Sequence, residues 1–191
     1  MPEKPPASIT ITKIEGARRQ IEAAVSLWFK EGDPVVIHTL IAAGHHVCHD
    51  IAKATGQSSP ILFNNSMFPG IEWAEHKKIT LELENFLKHA ERDSGSKITF
   101  HPRRTDFYIL DAILLYSMIG GPRNALFEAF GARFTIAYLS ELEDAVKLIG
   151  EIVISKYKEL PRADFLAHYL RACYAHWRKR ELSMRQVKAN Q

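Results

Sequence analysis

The feature that most constrains this chain is a pair of helix signals set back to back near its start. Thr12-Lys13-Ile14-Glu15 forms a capping box, in which the threonine and glutamate side chains satisfy backbone donors left free at a helix start. Ile14, Ala17, Ile21, Ala24, Val25 and Trp28 then recur at three-and-four spacing, and Gly32 offers a left-handed stop. Asp33-Pro34 follows at once, an acceptor at the cap and a proline in the first turn, and Gly56 closes this second helix after Ala54. Two helices joined by so short a turn fold back as a hairpin, and each needs a partner to cover its apolar stripe.

The same grammar continues along the chain. A third helix is expected over about 71–92, with Ile79, Leu83, Phe86 and Ala90 on one face. A fourth runs from a cap at Thr105 to Ile119 and is apolar nearly all round, as a central helix should be. Others are expected from Pro122 to about Tyr138, from a capped start at Ser140-Glu141-Leu142-Glu143 to about Lys158, and from Arg162 to about Arg180. The stretch from Gln57 to Gly70 has no period but carries Ile61, Leu62 and Phe63, so it reads as a loop packed on the bundle. Only residues 97–100 could form a short extended segment, and one strand makes no sheet. The fold class is therefore an all-α helical bundle of about six to seven helices with an antiparallel up-down core. A flexible N-terminus (1–11), one domain (12–180) and a basic tail (181–191) complete the organisation.

At 191 residues the chain can bury one self-sufficient core, and its 46% apolar and 25% charged shares are those of a soluble globular protein. A net charge of +3 is too mild to argue for nucleic acid by itself. Cations do gather late, at Arg171, Arg178, Lys179, Arg180, Arg185 and Lys188, where they read as a solvated helix end. Cys48 and Cys173 each fall inside an amphipathic helix and behave as free apolar thiols. The first six residues lack the apolar core of a signal peptide, and the run from Phe107 to Ile119 is too short to span a bilayer and contains Asp111. The expected address is cytoplasmic, with no membrane partner.

Four of the nine histidines crowd the second helix. At 100° per residue His38, His45 and His49 form a narrow stripe beside the core face, and His46 points elsewhere. His38 and His49 are roughly 16 Å apart along the axis, too far to share an ion, whereas His45 and His49 have the one-turn spacing that chelates a metal. Further ligands would have to come from Glu82, His89 or Asp111. Otherwise these rings border the core with backbone or water partners. Asp111 falls among Phe107, Leu110, Leu114 and Met118, so it needs a partner, such as His38, Lys88 or a bound ligand, or a raised pKa.

On the third helix Lys78, Glu82, Asn85 and His89 make a polar stripe, in which the Asn85 amide could orient the His89 imidazole. No P-loop, dinucleotide fingerprint or nucleophile elbow is present.

Three segments carry a resemblance: Ala17-Arg18-Arg19-Gln20, Asp33-Pro34-Val35-Val36-Ile37-His38-Thr39-Leu40, and Asn85-Phe86-Leu87-Lys88-His89-Ala90-Glu91-Arg92-Asp93. Together they resemble a family of small all-helical bacterial proteins without an established activity, over roughly the first 140 residues. The resemblance implies that His38, Asn85, Lys88 and His89 meet in space. The third segment is more distantly similar to the HEPN superfamily of helical bundles, which often dimerise and in many members cut RNA. The chain departs from that superfamily's arginine-histidine pattern, having Glu82, Leu83 and Glu84 ahead of His89. His45-His46-Val47-Cys48-His49 also resembles the H-x3-H pair of the metal-binding DinB family.

Three readings follow. The first is a HEPN-like interaction or ligand-binding module without a cofactor, dimeric, with His38 and Asp111 as ligand-binding residues and an RNA or protein partner. The second is a bundle holding a divalent metal at His45 and His49. The third is a metal-independent ribonuclease with His89 as proton-transfer group, Asn85 orienting it and Lys88 or Arg92 near a phosphate.

Overall fold

The computed structural model describes residues 8–67, 70–89, 91, 93–139 and 150–189. Among these are eight α-helices and no strand: α1 (Lys13–Phe29), α2 (Pro34–Ala54), α3 (Trp73–Thr80), α4 (Glu82–Lys88), α5 (Arg103–Met118), α6 (Ala125–Phe134), α7 (Glu151–Tyr157) and α8 (Arg162–Ala189). The chain is all-α, and no helix among the described residues is long and apolar enough to cross a membrane.

Local chemistry explains most boundaries. The capping box forms at Thr12 and Glu15, and the Asp33 carboxylate accepts from the amides of Val35 and Val36. The left-handed residue between α1 and α2 is Glu31, at φ 54°, rather than Gly32. Gly32 instead gives its amide to the Leu27 carbonyl at 2.9 Å.

Other boundaries differ from the sequence pattern. The expected third helix is broken at Leu81 into α3 and α4, and its last turn at Ala90 and Arg92 lies outside the described residues. Thr105 does not cap the central helix: α5 begins at Arg103, and Thr105 is buried one turn in. Helix α6 starts at Ala125, because Asn124 rather than Pro122 provides its cap, and continues through a π-helical turn, Thr135–Leu139. The 97–100 segment makes no strand. The capped start at Ser140 lies outside the described residues, and α8 runs on to Ala189, past the expected end at Arg180.

Helices α1, α2, α5 and α6 surround a core that includes Ile21, Val25, Phe29, Ile41, Ile109, Leu115 and Phe130. The α1–α2 contact is close because Gly44 has no side chain, and a Cβ there would lie 2.9 Å from Ile21 Cγ1. Directions follow from paired residues. Trp28 meets Asp106 at one end of the α1–α5 pair, so those two helices are antiparallel. His38 meets Thr105 and His45 meets Asp111, so α2 and α5 run parallel. A parallel pair cannot be joined by a tight turn, and residues 55–102, carrying α3 and α4, form the long crossover between them.

Candidate functional site

The parallel α2–α5 contact brings together the polar residues that the sequence separates. Helix α5 presents Thr105, Tyr108 and Asp111 at three-residue spacing, and α2 presents His38 and His45 two turns apart. His38 Nδ1 lies 3.1 Å from Thr105 Oγ1, and His45 Nε2 lies 2.6 Å from Asp111 Oδ2. The Tyr108 ring fills the space between, 4.7 Å from His38 and 5.4 Å from His45. All five side chains are buried.

Asp111 is saturated. Besides His45 it accepts from Ser59 Oγ at 2.6 Å and from the Ile61 amide at 2.8 Å, and Ser59 Oγ accepts from the Phe63 amide. The partner that a buried carboxylate requires is thus His45 with Ser59, not His38 or Lys88, and the network pins the 59–63 loop to the bundle. Burial pulls the His38 pKa down to about 4, so its ring is neutral near pH 7.

His49 stacks on His45, with rings 6.1 Å apart, and lines a surface cavity of about 530 Å³ with His46, Lys53, Lys77 and Trp73. Burial, followed by the neighbouring His45, lowers its pKa. His45 therefore commits Nε2 to Asp111 while His49 opens outward. The further ligand positions are also engaged: Glu82 with Arg104 at 3.0 Å, Asp111 with His45, and His89 with Glu91 at 3.4 Å. Among the described residues no three His, Cys, Asp or Glu side chains are grouped to hold a metal ion.

His46 has a role that its helical angle did not suggest. Its Nδ1 lies 2.9 Å from Glu84 Oε1, and the same buried carboxylate accepts from Lys88 Nζ. Burial pushes the Glu84 pKa up, but the hydrogen bonds from His46 and Lys88 outweigh it and hold the group at about 2. The Ser59–Asp111 and His46–Glu84 pairs escaped the sequence reading because the partners lie on different elements.

The polar stripe on α3 and α4 faces a surface cavity. Lys78, Glu82, Asn85 and His89 all line one surface cavity of about 370 Å³, closed on its far side by Asp93, Ser96 and Lys97. The break at Leu81 leaves these four on a common face. Among the described residues no bond joins the Asn85 amide to the His89 ring, which is held beside Glu91 instead. His38, Asn85, Lys88 and His89 do not meet: His38 is in the core, Lys88 is on Glu84, and only Asn85 and His89 share the cavity. His89 is likewise separate from the buried Asp111.

These features define a helical bundle with a buried polar seam and polar cavities at its surface, two of which reach seam residues, Thr105 and Tyr108. Compared with protein-family models, curated proteins and solved structures, the chain matches none.

Proposed function

We propose that this chain is a ligand-binding helical bundle whose polar site is the cavity lined by Asn85 and His89. The observation that carries this reading is the convergence of Lys78, Glu82, Asn85 and His89 on one cavity of about 370 Å³, a size within the usual range for small-molecule sites. The walls supply two lysines, Lys78 and Lys97, against two acids, Glu82 and Asp93, with amide, hydroxyl and imidazole groups between them. A balanced wall of donors and acceptors favours a small zwitterion over a simple anion or cation, because each charged end of the ligand then finds an opposite partner.

The test is a titration with a mixture of free amino acids, followed by nuclear magnetic resonance of the backbone amides. Shifts gathered at 78–97 in the wild type, and lost in Asn85→Ala and His89→Ala, are the expected result. A silent spectrum, or shifts that persist in both variants, would overturn the reading.

A further inference from the structure

A second cavity, about 290 Å³, lies where α2, α5 and α8 begin and α1 ends. It gathers Arg103, Arg133 and Arg162 around Trp28, Asp106 and Tyr138.

Two of the arginines, Arg162 and Arg133, are held in place by neutral groups. The Arg162 guanidinium lies over the Trp28 ring, 3.9 Å from its centroid, and Nη1 donates to the Trp28 carbonyl at 3.4 Å. Arg133 donates to the carbonyls of Tyr157 at 3.0 Å and Leu160 at 3.2 Å. Such partners fix direction without cancelling charge. Among the described residues no acid lies within ion-pair distance of any of the three, whereas Arg18, Arg104 and Arg123 pair with Glu22, Glu82 and Glu128.

One carboxylate is present in the cavity, and its hydrogen bonds come from elsewhere. Asp106 Oδ1 accepts from Trp28 Nε1 at 2.6 Å, and Oδ2 accepts from the Tyr138 hydroxyl at 2.5 Å. Burial raises its pKa, against the hydrogen bonds from Tyr138 and Trp28 and the charges of Arg162 and Arg103, which act in the opposite sense. Burial lowers the Arg133 pKa, and Arg162 lowers it further, more than Glu159 raises it. Two preorganised cations, Arg133 and Arg162, with the exposed Arg103 beside them, outnumber the one carboxylate and leave the cavity electropositive, and an oxyanion would relieve the repulsion with bidentate hydrogen bonds.

We propose that this cavity binds the oxyanion head, phosphoryl or carboxylate, of a small organic ligand, held by Arg103, Arg133 and Arg162 with the Trp28 indole as its apolar wall. The site is independent of the Asn85 cavity, whose lining carries as many acids as lysines.

Calorimetric titration with inorganic phosphate and, separately, with benzoate tests the site and names the head group. Saturable binding of one of them is expected, weakened about tenfold or more by Arg162→Ala through loss of a charge-assisted fork. Arg103→Ala, at an exposed position that spares the core, is expected to act in the same direction. Arg104→Ala, which removes an arginine already paired with Glu82, should leave binding unchanged. Phosphate alone would mark a phosphoryl ligand and benzoate alone a carboxylate. No saturable heat from either anion up to about 10 mM, where even weak sites fill, would overturn the proposal. Binding that survives both Arg103→Ala and Arg162→Ala would do the same.

Discussion

The α2–α5 seam and the arginine cavity are both rich in charged and polar residues, yet they end in opposite states. In the seam, Asp111 takes hydrogen bonds from His45, Ser59 and the Ile61 amide, and no surface cavity reaches it. In the cavity, the guanidiniums of Arg133 and Arg162 are anchored by carbonyls and a π face, and their charge and that of the exposed Arg103 stay unmatched by an ion pair among the described residues. Enrichment in titratable residues is common to both and does not distinguish them. What distinguishes the two is where the charge finds its partner: the Asp111 carboxylate is met by His45, Ser59 and a backbone amide, whereas among the described residues no acid lies within ion-pair distance of the three guanidiniums.

The largest expected effect breaks the seam. Asp111→Ala removes the acceptor of three buried donors and should destabilise the fold by about 3–5 kcal/mol, read as a large fall in the denaturant midpoint. A loss below about 1 kcal/mol, the size of a surface pair, would show that the seam is not structural.

The next effect is a pH dependence. The folded-state pKa of His38 is lowered from 6.5 to about 4 by burial, so the unfolded chain takes up a proton at this residue where the folded one does not. Stability from this group is complete above pH 6.5 and is lost as pH falls toward 4, by about 3 kcal/mol in all. Urea unfolding at a series of pH values should show that slope in the wild type and a flatter one in His38→Leu. Equal slopes in the two would contradict the assignment.

The smallest effect sharpens the contrast from the other side. Arg162→Ala loses a cation–π contact with Trp28 but relieves repulsion with Arg133, so the net stability change should stay within about 1 kcal/mol. Thermal unfolding checks this, and a large destabilisation would place Arg162 with the seam.

Local signals in the sequence were sufficient for the helices and much of their packing faces. The capping box at Thr12 and the Asp33-Pro34 start depend on a few neighbouring residues and are found as written. Thr105 misled because the same hydroxyl that can cap a helix can also accept or donate across a helix interface, and here it meets His38. The break at Leu81 left no glycine or proline behind, so periodicity ran straight through it. For the sites, helical spacing grouped Lys78, Glu82, Asn85 and His89 correctly, since all lie on consecutive turns. It could not pair His45 with Asp111 across 66 residues or Trp28 with Asp106 across 78. Periodicity tells which face a residue occupies, not which helix that face meets. The arginines were invisible for the same reason, coming from α5, α6 and α8.

The most direct measurement is a phosphate and benzoate titration followed by nuclear magnetic resonance, watching the Trp28 indole N–H and the ring signals of His38 and His45 in one sample. The account expects the Trp28 signal to move saturably with one of the anions while both histidine rings stay still. Histidine rings that move while Trp28 remains unchanged would contradict it, placing the ligand in the seam and leaving the arginine cavity empty.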